Sequence, residues 1–130
     1  MAGRLYHVRA SDLSPDTGQT AGMRRRAAVA ASTVGSRALF MGETRVAPST
    51  TSGPHHHGRS ETAIYVVSGH PVFVYRDGDR EVRLDTEPGD FVYVPPRVPH
   101  IEANPDPHEE AVVVLARTTQ EAIVENLEAL

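Results

Sequence analysis

The chain has 130 residues, a formal charge of −4 and no cysteine. That length bounds it to one domain able to build a core without staples. The missing cysteines exclude disulfides, thiolate ligands and a cysteine nucleophile. The acidic balance argues against a general nucleic-acid surface. No apolar run reaches the length of a membrane span, and the N-terminus lacks a signal-peptide core. A cytoplasmic protein with a small-molecule partner, and with neither nucleic acid nor membrane, is expected.

Residues 1–37 read as an N-terminal arm. Leu5-Tyr6-His7-Val8 is a short edge strand, followed by a turn-rich loop through Gly18. Arg24-Arg25-Arg26 precedes an alanine-rich run and reads as a solvated helical turn; the alternative is that one arginine reaches a pocket and pairs a substrate carboxylate. Ala38–Met41 and Thr44–Ala47 are two short strands around Gly42, and Pro48–Pro54 is a loop. Ile64-Tyr65-Val66-Val67 marks a buried strand. Val72–Tyr75 and Glu81–Asp85 flank Asp77-Gly78, a strong hairpin signal. Pro88-Gly89-Asp90 is turn chemistry before the strand Phe91–Val94. Ile101–Ala103 and Ala111–Ala116 are the last strands of the body, residues 38–117. Residues 118–130 form a tail. Its capping-box pattern from Thr118 to Glu121, and Ile123, Leu127 and Leu130 at helical spacing, predict a short C-terminal helix. Short strands at regular spacing, bounded by turn residues, make the body all-β.

Three of the seven histidines stand together as His55-His56-His57. On an extended segment, His55 and His57 share one face and His56 takes the other. Neutral imidazole is the commonest ligand for borderline metal ions, and two imidazoles with a carboxylate nearby claim three positions around one ion. A turn and a new strand after Pro95-Pro96 return His100 toward them. His7 and His108 have no partner at ligand spacing and read as surface residues.

These residues resemble the two conserved motifs of the cupin family. His55, His57, Glu61 and Gly69 follow the first; Gly89, Pro95, His100 and Asn104 follow the second. Ser49 and Arg97 stand where the family pattern has glycine, and the stretch from Glu61 to Gly69 is one residue longer than usual. A one-residue shift on a regular strand reverses the face a side chain presents, so Glu61 requires a bulge or the preceding loop to aim it inward. Glu102 alternates with His100 and Asn104 and reads as a surface or supporting residue.

The resemblance implies a double-stranded β-helix, a jelly-roll barrel over residues 38–117, holding a divalent transition metal on His55, His57, Glu61 and His100. Fe(II) or Mn(II) is favoured, with Ni(II), Zn(II) or Co(II) as alternatives. A three-histidine site is the alternative if Glu61 faces away. The implied function is metal-dependent chemistry on a small organic molecule, with an oxygenase foremost. A metal-dependent isomerase or cyclase and a non-catalytic small-ligand protein remain open, because fold alone does not choose among them. A homodimer is expected from the N-terminal edge strand, the apolar stripe of the tail and the resemblance.

Overall fold

Residues 3–130 are described by a computed structural model. Its strands are β1 (Met23–Val29), β2 (Phe40–Val46), β3 (Thr50–Thr51), β4 (His55–His56), β5 (Thr62–Ser68), β6 (Val72–Asp77), β7 (Arg80–Asp85), β8 (Phe91–Val94), β9 (Ile101–Asn104), β10 (Ala111–Arg117) and β11 (Glu125–Asn126). One α-helical turn, α1 (Ala31–Val34), follows β1. A five-stranded antiparallel sheet runs β1-β2-β10-β5-β8, a four-stranded sheet runs β3-β9-β6-β7, and β4 pairs with β11. Among the described residues no helix is long and apolar enough to cross a membrane.

Strict alternation builds the inner face of the large sheet. Phe40, Gly42, Thr44 and Val46 are buried along β2, and Thr62, Ile64 and Val66 along β5. Their neighbours Ala63, Tyr65 and Val67 are exposed, as period-two geometry requires. Ile64, Val66, Val94 and Val113 of the large sheet pack with Phe73 of the smaller one. Each side chain of this size contributes about 1.5–3 kcal/mol when fully buried. The outer face instead carries an ion-pair network in which Arg26 and Arg45 meet Glu43, and Arg24 and Arg45 meet Glu110. Such half-exposed pairs contribute about 0–1 kcal/mol each, so the apolar contact between the sheets dominates.

Four segments differ from the expectation. The Leu5–Val8 strand does not form; a single 3-10 turn at Ala10–Asp12 and one bridge from Ser14 to Ala27 replace it. Arg24–Arg26 lies inside β1, where pairing to β2 outweighs the helical preference of the alanines that follow. Residues 40–46 form one uninterrupted strand, because Gly42 lets β1 close on β2; a Cβ there would stand 2.5 Å from the Arg26 carbonyl oxygen. The tail is extended rather than helical. A helix this short is marginal in water, and here the backbone finds partners on the histidine segment. Leu127 N–H donates to the Pro54 carbonyl at 2.9 Å, and Thr118 N–H to that of Glu61 at 3.2 Å. Neither the N-terminal strand nor the helical stripe that motivated a homodimer is therefore present among the described residues.

The two positions where the family pattern carries glycine keep a glycine-like backbone. Ser49 has φ 54° and Arg97 has φ 60°. Long-range hydrogen bonds hold both: Ser49 N–H to the Asp106 carbonyl at 3.0 Å, and Arg97 N–H to that of Gly58 at 2.8 Å. A left-handed conformation costs an L-residue about 1–2 kcal/mol, partly offset by the greater unfolded-state entropy of glycine. Arg97→Gly and Ser49→Gly are each expected to raise stability by about 0.5–1 kcal/mol, read as a higher denaturation midpoint with unchanged slope.

Candidate metal centre

Backbone pairing sets the site. His55 N–H donates to the His100 carbonyl at 3.1 Å, and His100 N–H to the His55 carbonyl at 2.9 Å. The two residues face each other as a hydrogen-bonded antiparallel pair. His57 lies two residues on, just before Gly58 turns the chain at φ 56°. The three rings form a near-equilateral triangle with centroids 4.9, 4.5 and 5.0 Å apart. Glu102 follows His100 by two residues on β9 and shares its face. Ser52 ties it down twice: Glu102 N–H donates to Ser52 Oγ at 2.9 Å, and Ser52 N–H to the Glu102 carbonyl at 2.8 Å.

Each imidazole has one nitrogen on a backbone carbonyl. His55 Nδ1 meets Gly53 O at 2.8 Å, His57 Nδ1 meets Ile123 O at 2.8 Å, and His100 Nδ1 meets Val98 O at 2.9 Å. A carbonyl only accepts, so each Nδ1 carries the proton, and in the neutral ring the Nε2 lone pair is left free. This is the supporting arrangement common to metal-bound histidines. His56 has the reverse tautomer. Gly58 N–H donates to its Nδ1 at 2.9 Å, and its Nε2 faces Glu125 at 3.1 Å, outside the cluster.

The donor atoms of His55, His57, His100 and Glu102 all lie within 4.8 Å of one another. They form a three-histidine, one-glutamate metal-binding cluster, a donor set that suits Mn(II) or Fe(II). Glu61 is not in this group. Ser60 is buried, Glu61 exposed and Thr62 buried; without a bulge to re-aim it, Glu61 points outward and accepts a hydrogen bond from the Tyr93 hydroxyl at 2.6 Å. The acidic place is taken by Glu102. Its i+2 relation to His100 was visible in the sequence, but alternation alone did not distinguish a ligand from a surface residue.

Burial governs the electrostatics. It pushes the His55 and His57 pKa values below the ordinary range and so favours neutral rings. Burial also opposes a charge on His100, but the hydrogen bond and negative charge of Glu102, 3.3 Å from Nε2, raise its pKa on balance. Burial alone would raise Glu102; His100 and the other two imidazoles outweigh it and hold the carboxyl at about 2.

A cavity of about 200 Å³ opens beside the cluster, with His57 and Glu102 in its wall. Arg25 and Arg117 line it as well, together with Thr44, Ile64, Phe73 and Val113. Of the three consecutive arginines, the middle one reaches the interior. The tail closes one side through Ala122, Ile123 and Val124. A second, apolar cavity of about 340 Å³ shares Phe73 and touches His100. Tyr75 and Tyr93 line that second space rather than the first.

Metal must displace any proton on a ligating nitrogen. Because the His100 pKa is raised and those of His55 and His57 are lowered, His100 is the group that competes. Metal affinity is expected to rise with pH through the upper histidine range and then level off. Below that range it should fall about tenfold per pH unit, the slope of one displaced proton. Calorimetric titration in buffers of different ionisation enthalpy checks both the slope and the proton released.

The protein has known relatives in sequence pattern and in fold. The profile of the cupin domain matches residues 42–116. No curated protein sequence matches the chain. Among solved structures, the polyketide cyclase RemF from Streptomyces resistomycificus superposes with a TM-score of 0.76 at 20% identity, covering 98% of this chain and 88% of that one. Peruvianin-I, a cysteine peptidase from Thevetia peruviana latex, gives 0.73 at 14%, covering 97% and 78%. A mutant of the Bacillus subtilis oxalate decarboxylase gives 0.71 at 18%, covering 86% of this chain and 30% of that one. At these identities the likeness is one of fold, and the differing activities of the three proteins fit that limit. The profile spans more than half of the residues, including all four converging donors and the strands that carry them, and on that ground the chain belongs to the cupin family.

Proposed function

We propose that the protein is a metal-dependent enzyme that transforms a small organic molecule in the cavity bounded by His57 and Glu102. The observation that carries this reading is the shared wall: two of the four cluster residues also line a cavity with apolar sides and a few charged groups. Pockets of that composition bind small molecules. In this reading His55, His57, His100 and Glu102 are the ligands and Glu61 is not. A divalent ion held there would act as a Lewis acid and, if it were Fe(II) or Mn(II), could also activate dioxygen.

The chain's own contributions are orientation and exclusion of water. Gly53, Val98 and Ile123 carbonyls fix the rings. Glu102, held ionised, balances part of the ion's charge. Phe73, Ile64 and Val113 present hydrocarbon toward the substrate. The jelly-roll barrel implied by the family would close the space around it. An oxygenase is the leading reading, since the donor set suits redox-active ions. Mn(II) centres are named for the Bacillus subtilis oxalate decarboxylase. A cyclase or isomerase using the ion only as a Lewis acid is the second, favoured by the near-complete overlap with the polyketide cyclase.

Two measurements test this. Glu102→Gln is expected to lower metal affinity by at least about tenfold, the lower end of what loss of a supporting contact costs, while Glu61→Gln leaves it unchanged. Equal affinities of the two variants would return the carboxylate role to question. Oxygen uptake by the Fe(II)- or Mn(II)-loaded protein with small phenols, enols and keto acids separates the reaction classes. Consumption matched to product supports the oxygenase, turnover at the same rate under argon supports the cyclase or isomerase, and binding without turnover under either atmosphere rules out an enzyme for these substrates.

A further inference from the structure

We propose that the cavity beside the cluster takes a small organic acid, with its carboxylate on Arg25 and Arg117 and its reacting end at the metal centre. This rests on the reading of that cavity as the substrate site and names the chemical class that fills it.

Strand register puts both guanidiniums inside. Arg25 on β1 stands opposite Thr44 on β2, and Thr44 is buried on the inner face. Arg117 on β10 stands opposite Phe40 on one side and Thr62 on the other, both buried. Arg24 and Arg26, one residue either way from Arg25, engage Glu110 and Glu43 instead.

Neither interior arginine has a carboxylate partner among the described residues. Arg25 donates to Thr20 Oγ1 at 2.7 Å and approaches Met23 Sδ at 3.9 Å. Arg117 donates to the carbonyls of Thr119 at 2.9 Å and Gln120 at 2.8 Å and stacks over Phe40, 3.7 Å from the ring centroid. A guanidinium has five N–H donors in a planar fork, so both retain donors. Burial lowers the basicity of each; the negative charge of Glu102 offsets part of this for Arg25, and the positive charge of Arg25 adds to the effect on Arg117. Arginine nevertheless stays protonated at any working pH, and the charges remain.

The cavity is therefore cationic. Two guanidiniums stand against the single carboxylate of Glu102, and a divalent ion held by the cluster would add to the positive side. Uncompensated charge away from water is costly, and an anionic ligand relieves it. Arginine pairs carboxylates through two parallel hydrogen bonds, which also fixes orientation. Thr44 adds an independent sign. Its Oγ1 is the one buried side-chain oxygen among the described residues without a hydrogen-bond partner, and Thr44 lines this same cavity. A bound acid would supply that partner. Ile64, Phe73, Val113 and Leu115 form the apolar wall, so the body of the acid is hydrocarbon or aromatic.

The test uses the zinc-loaded protein, where redox turnover is silent. Salicylate, pyruvate and 2-oxobutanoate are titrated calorimetrically beside their neutral amides at fixed ionic strength. We expect at least one acid to bind more than tenfold tighter than its amide. Arg25→Gln and Arg117→Gln should each cut that preference at least tenfold, while Arg25→Lys, which keeps the charge, retains part of it. Zinc stoichiometry and circular dichroism of the same samples report the fold, and the Arg25→Lys and Arg25→Gln pair decides the matter even if Arg117→Gln disrupts the tail. Equal binding of acids and amides, no binding of any acid, or an unchanged preference in Arg25→Gln would overturn the proposal. The two readings fail separately. Zinc bound with acids ignored sinks only the carboxylate site; acids bound on the arginines without turnover on any metal sinks only the enzyme.

Discussion

Three hydrogen bonds from imidazole Nδ1 to main-chain carbonyls govern this site. Their acceptors, Gly53, Val98 and Ile123, lie in three separate stretches of irregular backbone. Each bond removes one tautomer and one rotational freedom from a histidine, so three Nε2 atoms converge before any ion arrives, with His100 Nε2 facing Glu102. Prepaid order of this kind is worth affinity, because the ion need not immobilise its own ligands. His56, in the middle of the same run, shows the alternative. A different backbone donor reverses its tautomer and removes it from the cluster.

The period-two geometry of strands divides the charges into two populations. Outward arginines of β1 and β2 are paired with glutamates in solvent-facing networks, where they contribute little to stability. Inward arginines at 25 and 117 form no ion pair among the described residues and face the cavity that Glu102 also lines. The same alternation sends Glu61 to the surface and Glu102 toward the three histidines. A single rule thus sorts which charges serve solubility and which serve the interior, and no residue type alone reveals the difference.

Much of the body was legible because its strands alternate and its turns carry Gly, Pro and Asp at required positions. The strands from Thr62 to Arg117 lie where the apolar periodicity puts them. The histidine triad was legible from spacing. The carboxylate was not, because the family motif pointed to Glu61 while the strand phase pointed elsewhere, and phase is fixed only once the loop before β5 is known. The tail was illegible for a different reason. Its apolar residues recur at helical spacing, but pairing with β4 and packing of Ile123 against Gly58 hold it extended. Local propensity is worth tenths of a kilocalorie per residue, and tertiary hydrogen bonds override it. The two positive-φ positions at Ser49 and Arg97 show the converse: the backbone keeps a conformation that its residue identities no longer favour.

The Ile123 carbonyl that orients His57 lies 66 residues along the chain from it. During synthesis the first histidine segment, and even His100, leaves the ribosome well before this acceptor. The carbonyls that orient His55 and His100 are only two residues away from them, so His57 alone depends on a distant segment. Only when the tail lies down against β4 does the third ring lock. The orientation of one ring of the cluster is thus tied to a segment far along the chain, and His57 is the ring most exposed to any loosening of the tail.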